Sequence, residues 1–155
     1  MAPLIVLVSL FALLSGLGLL GVSSLAGWYA PLRFALAGMF LLTASAHWGR
    51  RRPDLVRMVP NALPRPELWV TLTGILELAG ALGLVLQPLA AWAALGLSLL
   101  LVAMFPANAR AAREHLSIAG VPVMSLWPRL LLQLGFITAT GAVFLVGLRS
   151  LLAVG

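Results

Sequence analysis

Four of the 155 residues are acidic, and one of them, Glu77, lies where a carboxyl group is costly. It sits near the middle of an apolar run, Leu68–Gln87. Estimates for a charged side chain at the centre of a membrane-spanning helix begin at roughly 2.5–3.5 kcal/mol, so such a group is kept only when neutralised, paired or turned toward a polar cavity. A neutral Glu77 donates a hydrogen bond or a proton. An ionised Glu77 needs a cationic partner, and Arg129 is the nearest by position, about two helical turns away along the bundle. Proton transfer to a substrate needs a second titratable group beside the first, and His47 is the candidate. Gln133, Thr73 and Asn108 add neutral hydrogen-bonding groups. The candidate ligand-binding set is therefore Glu77, Gln133, His47, Thr73, Asn108 and Arg129. Each has a plainer role as well. Glu77 can fix bundle register, His47 can cap a helix at the membrane interface, and Thr43, Ser45, Thr73 and Thr138 can bond their own helix backbone.

The elements that must position these groups follow from composition. Hydrophobic residues make up 62% of the chain and charged residues 9%, against about 25% charged in soluble domains; mean hydropathy is +1.09. The apolar runs are continuous rather than alternating and too long for barrel strands. The fold class is all-α, a polytopic membrane helical bundle. With no cysteine, the chain offers no dithiol chemistry, thiolate metal site or iron–sulfur ligation. Its two histidines are too few for an ordinary all-protein metal site. Every basic residue is Arg, the net charge is +6, and the arginines flank the apolar runs, where charge sets topology. A nucleic-acid partner is not expected.

Five apolar segments stand out: Leu4–Leu20, Pro31–His47, Leu68–Gln87, Leu89–Phe105 and Pro128–Leu148. Pro31 and Pro128 suit the first turn of a helix, and Gln87-Pro88 turns the third span into the fourth. Residues 49–67 and 106–127 read as linkers on one side of the membrane, the second opened by Pro106. The first carries Leu55, Val56, Met58, Val59 and Leu63 among its arginines and should lie on the membrane surface, with the run 50–52 serving topology and lipid headgroups. The linker side holds Arg50, Arg51, Arg52, Arg57, Arg65, Arg110, Arg113 and Arg129; the other holds Arg33 and Arg149. That asymmetry places the N-terminus in the cytoplasm and the C-terminus outside, in a cell membrane crossed several times. Trp28, Trp48, Trp69, Trp92 and Trp127 fall at span ends, as an aromatic belt does. A cleaved secretory signal ending near Ser24-Leu25-Ala26 is the alternative for the first segment, although it has no basic n-region and exceeds the usual h-region length.

Heights along the spans gather the polar groups. At 1.5 Å per residue, Glu77 lies roughly 14 Å from the arginine-rich start of its helix, Gln133 roughly 7 Å into the last span, and Thr138 level with Glu77, while His47 sits at the interface with Ser45 and Thr43 roughly 3–6 Å inward. The pattern predicts a polar pocket opening toward the cytoplasm and closed at mid-membrane by Glu77. Positions three and four residues either side of Glu77 are Thr73, Gly74, Gly80 and Ala81. Small residues let helices approach closely and leave space for a ligand beside the carboxyl group.

Several stretches resemble the DoxX family of small bacterial and archaeal membrane proteins: Arg33-Phe34-Ala35-Leu36-Ala37-Gly38 running on to His47-Trp48, Thr73-Gly74-Ile75-Leu76-Glu77-Leu78-Ala79-Gly80, Met104-Phe105-Pro106-Ala107-Asn108 and Arg129-Leu130-Leu131-Leu132-Gln133. They span residues 31–147. The resemblance implies a four-helix membrane bundle over 31–155, preceded by an N-terminal transmembrane helix and outer loop over 1–30. It also implies association with quinone-linked respiratory oxidoreductases such as thiosulfate:quinone oxidoreductase, and similarity to bundles that bind sterol-like or lipidic ligands. Fold-level likeness carries no reaction with it. The spans show no haem-ligand pair and no nucleotide-binding glycine motif, and the cofactor is left open, a quinone being the candidate that the resemblance implies.

The leading expectation is an accessory subunit of a quinone-linked oxidoreductase system, binding a lipidic small molecule in the inward-facing pocket. Glu77 would meet the head group, with Gln133 and His47 at the entrance and Arg129 and Asn108 shaping the mouth. The alternatives are a membrane enzyme acting on a lipid with Glu77 as acid/base, and a small transporter or structural scaffold. Expected partners are membrane lipid, a respiratory or redox membrane protein, and a second copy of the chain through Gly16, Gly18 and Gly21 of the first span.

Overall fold

The computed structural model describes residues 1–153. In chain order its helices are α1 (Ala2–Leu19), α2 (Tyr29–Ser45), the short α3 (Arg52–Met58), α4 (Pro66–Val85), α5 (Ala90–Arg113) and α6 (Leu126–Leu152). Leucine and alanine dominate the long ones and favour helix. Prolines stand in the first turns of α1, α2, α4 and α6, where a missing N–H costs nothing. A single turn of 3₁₀ helix, Gln87–Leu89, reverses the chain between α4 and α5. The segments Ala2–Leu19, Pro66–Val85, Gln87–Arg113 and Leu126–Leu152 are long and apolar enough to cross a membrane. With 17 residues, α2 is shorter: about 26 Å, against a hydrocarbon core of about 30 Å.

The long helices run alternately between two ends. α2 packs against α1 and α4, α5 lies between α4 and α6, and α6 returns to α2. Leu36, Met39 and Phe40 of α2 meet Ala81 and Leu84 of α4, Ala94 and Leu97 of α5, and Val143 of α6 in one core. Small residues set the spacing: Gly80 faces Leu97, Gly83 faces Ala93, and Gly147 faces Ala91 and Tyr29. α1 buries only Leu7 and stands outside the other four long helices, against α2. At the end away from the arginine-rich linkers, Arg33 is buried with its guanidinium 4.9 Å from the Phe34 ring and 5.9 Å from the Tyr29 ring. All five tryptophans are exposed at helix ends: Trp48, Trp69 and Trp127 at the arginine-rich end, Trp28 and Trp92 at the other.

The expected linker 106–127 is half helix. α5 runs through Pro106 to Arg113, eight residues past Phe105. Pro106 removes one backbone bond, but Ala107, Ala109, Ala111 and Ala112 are strong helix formers. Three of them are buried, and Arg110 and Arg113 suit the negative end of the helix. The remainder contains a two-stranded hairpin, β1 (Ser117–Ile118) and β2 (Val121–Pro122). Its turn places Ala119 at φ 52° and Gly120 at φ 77°, the paired positive angles of a type I′ turn. The other linker is also not free on a surface. Met58 and Val59 are buried, and Arg110 donates to the Val59 carbonyl. Asp54 pairs with Arg57 and accepts the Ala119 N–H at 2.7 Å. α3, the end of α5 and the hairpin thus form one cap over the arginine-rich end.

The Ala119 N–H, and after it the Arg57 guanidinium, hold the Asp54 carboxyl below its ordinary range. A depressed carboxyl favours the fold above the ordinary range and loses that contribution as pH falls through the lowered value. Acid titration of the Ala119 amide resonance in micelles should therefore show a midpoint below about 3.9, absent in Asp54→Asn. A midpoint at or above that value would mean that the tether does not form in solution.

Candidate functional site

α2 stops early, and that places His47. Its Cβ lies against Gly74, where an added methyl group would come within 2.6 Å of it. Gly74 is eight residues into α4, about 12 Å from that helix's start. His47 is therefore level with a point about two helical turns into α4, deeper in the bundle than its sequence position suggested. It is 4% exposed, and so is Glu77. His47 Nδ1 lies 3.8 Å from Glu77 Oε2 and 3.2 Å from the Thr43 carbonyl. The neighbour of Glu77 is thus His47 and not Arg129, because α6 begins at Leu126 and keeps Arg129 near the end of the bundle.

Arg52 locks this arrangement. It donates to the His47 carbonyl at 2.8 Å, to the Glu67 carbonyl at 3.2 Å and to Thr71 Oγ1 at 2.8 Å. The expected headgroup role of the run 50–52 does not hold for Arg52, whose hydrogen bonds are internal. This clamp between α2 and α4 was missed in the sequence. The only signal was an arginine at the start of a short helix, indistinguishable there from Arg50 and Arg51.

The opposite wall comes from α5 and α6. Gln133 is 7% exposed and donates from Nε2 to the Leu101 carbonyl at 2.9 Å. Arg129 Nη1 donates to Asn108 Oδ1 at 2.5 Å. Asn108 reaches this position because α5 continues past Pro106. Between the walls lies a cavity of about 370 Å³, lined by Glu77, His47, Thr43, Gln133, Asn108 and Arg129 among apolar residues that include Phe40, Leu101, Met104, Leu132 and Phe136. Its mouth, at the arginine-rich end, is bordered by Arg51, Ile118, Met124 and the first residues of α1. Three buried polar atoms of its walls have no hydrogen-bond partner: Glu77 Oε2, Gln133 Oε1 and Arg129 Nε.

Five of the six candidate residues line this one cavity. The sixth, Thr73, does not. Its hydroxyl donates to the carbonyls of its own helix, Trp69 and Val70, and it borders a separate cavity of about 140 Å³ that shares His47 and Asn108 with the first. Thr138 likewise bonds the Leu134 carbonyl and is exposed; Ser45 bonds the Leu42 carbonyl. The space expected beside Gly74 and Gly80 holds protein, His47 in one case and Leu97 in the other. A buried link between α5 and α6, Ser98 Oγ to Thr140 Oγ1 at 2.7 Å, was not foreseen, since neither residue carries a signal beyond a hydroxyl in an apolar run.

Chemically, the arrangement pairs an acid with a base at the closed end of an apolar cavity and puts a guanidinium near its mouth. Comparison with known proteins covers this region. A family model described as a domain of unknown function, DUF8561, matches residues 36–144. The chain belongs to the DUF8561 family. The region matched in this DUF8561 chain starts in α2, ends in α6 and contains all six candidate residues, but not α1. No curated protein and no solved structure matches the chain.

Because the His47 side chain fills the place of a Gly74 side chain, Gly74→Ala should destabilise the protein by roughly 1–3 kcal/mol, the usual range for overpacking. Gly141→Ala, with nothing within 4 Å of an added methyl group, is the matched control. Unfolding in mixed micelles measures both. Equal stabilities would mean that His47 does not pack on Gly74.

Proposed function

We propose that this DUF8561 chain is a membrane-embedded binding protein for a lipidic small molecule, which enters the cavity from the arginine-rich end. The observation that carries the reading is the set of three unpartnered buried polar atoms on two facing walls of one largely apolar cavity. Leaving such groups unpaired costs roughly 1–3 kcal/mol each, and a ligand's polar head group satisfies those that it meets. Small-molecule sites have this build, mostly apolar with a few convergent polar groups.

The membrane placement supports the same reading. Five apolar helices span the bilayer, with α2 the shortest. The cap formed by α3, the end of α5 and the hairpin is cytoplasmic, because eight arginines lie on that side and two on the other. The N-terminus is then inside and the C-terminus outside. The DoxX resemblance over 31–147 adds a role: an accessory subunit of a quinone-linked oxidoreductase system, with a quinone among the possible occupants.

One observation favours a second reading, an enzyme acting on a membrane lipid. Glu77 and His47 lie 3.8 Å apart, so the second titratable group that proton transfer requires is beside the first. In that case activity on the lipid would show a steep pH profile and fall at least ~100-fold in both Glu77→Gln and His47→Ala, in line with typical general acid–base contributions. Activity retained in either variant excludes this reading.

Native mass spectrometry of the purified protein, with identification of the co-purifying small molecule, tests the binding reading. Wild type should carry a lipidic ligand that Glu77→Gln loses or binds at least ~10-fold more weakly, as expected for loss of a charge-assisted or buried hydrogen bond. Equal ligand loading of both, or bulk phospholipid alone in both, would reduce Glu77 to a packing residue.

A further inference from the structure

We propose that the occupant of the cavity is an anionic amphiphile, with a carboxylate or phosphate held by Arg129 and Arg51 and its hydrocarbon against Phe40, Leu101, Met104 and Phe136. The proposal rests on the ligand-binding reading above and names the class of ligand.

Charge on the cavity wall decides the class. Arg129 and Arg51 both line it, and Glu77 is the only acid that does. Glu77 lies at the closed end beside His47. Of the other acids, Asp54 pairs with Arg57 and Glu114 with Arg110. Glu67 is exposed and forms no ion pair among the described residues. No carboxylate among the described residues therefore offsets Arg129 or Arg51. Nor is Arg129 satisfied by neutral groups. Its Nη1 donates to Asn108, while its Nε is buried with no acceptor. Asn108 thus takes one nitrogen, and the buried Nε is left without the acceptor that a carboxylate or phosphate supplies when it pairs with a guanidinium through two parallel hydrogen bonds. Arg129 also stands in the first turn of the 27-residue α6, where the helix dipole adds to the positive potential.

A neutral head group, including a quinone, gives the Nε at most one weaker bond and sets no negative charge against the buried side of Arg129. The apolar wall between the two polar ends accommodates hydrocarbon, and the cavity volume lies within the range of small-molecule sites.

The test is equilibrium binding to the full chain in a neutral maltoside detergent, using oleate, oleoyl lysophosphatidate, oleyl alcohol and a short-chain ubiquinone as probes. Oleate and lysophosphatidate should bind at least ~10-fold tighter than the two neutral probes, the scale of one charge-assisted hydrogen bond. The tighter of the two identifies the head group as carboxylate or phosphate. Arg129→Gln should reduce the anions to the affinity of oleyl alcohol, and Arg129→Lys should keep part of the preference. Equal wild-type affinities for charged and neutral probes overturn the proposal without relying on any variant, as does a preference that survives Arg129→Gln. A cavity-blocking Leu101→Trp separates this failure from that of the underlying reading. If all four probes bind equally and Leu101→Trp abolishes them, the pocket stands and its selectivity for anions falls. If Leu101→Trp alters none of them, both fall.

Discussion

The depth at which α2 ends controls the rest of the molecule. With only 17 residues, it stops about two turns short of the level where α4 begins, and the next residues of the chain enter the bundle. That turn carries an imidazole to within 3.8 Å of Glu77, the one buried acid among the described residues. A carboxyl group at that depth without a polar neighbour would bear the full cost of its desolvation. With His47 beside it, the cost is partly met, while Glu77 Oε2 itself has no hydrogen-bond partner. Two other features follow. Position 74 has no room for a side chain, because the His47 ring occupies that volume. The chain after His47 must also be held while it climbs back out, and Arg52 holds it from three acceptors.

The cap over the arginine-rich end answers a related problem. A cavity that opens at the arginine-rich end needs walls that continue beyond the apolar segments, yet loops there would leave backbone groups without partners. α5 solves this by continuing through Pro106, which carries Asn108 to a position opposite Arg129. The hairpin pairs its own backbone and is tethered to α3 through Asp54. Two of the four acids are used in this cap, each on an arginine that does not line the cavity. Arg51 and Arg129 are thereby left without an internal anion, so the architecture of the cap and the charge of the mouth have one origin.

The helical framework was legible because apolar runs of this length leave few alternatives, and Glu77 was legible because an acid in such a run stands alone. Gln133, Asn108 and Arg129 line the same cavity as Glu77, Asn108 because α5 continues past Pro106. Counting failed for His47, since it assumes that each helix begins and ends at the interface, and α2 does not. It failed at Pro106 as well: a proline ends a helix in isolation, whereas the buried alanines that follow here offset the lost bond. Thr73 and Thr138 show the opposite error. A hydroxyl on a membrane helix can satisfy itself on its own backbone, so its presence near a carboxylate carries little information about a site. The hairpin depends on a turn formed by Ala119 and Gly120, and alanine at positive φ is too uncommon to anticipate.

The division between chemistry and access follows the same geometry. All six candidate residues, and the Arg52 clamp, lie within residues 36–144, the region that defines the family. The mouth is less contained, because Ala2, Pro3 and Leu4 of α1 border it from outside that region. α1 contributes one buried side chain, Leu7, and packs on α2 alone among the long helices. Its packing on α2 is extensive, with Val6, Leu10 and Phe11 against the core beside Leu7, and its first turn borders the same cavity as Arg51, Met124 and Arg129. The acid–base pair is thus fixed by packing within the region that defines the family, while the opening is bordered in part by a helix outside it.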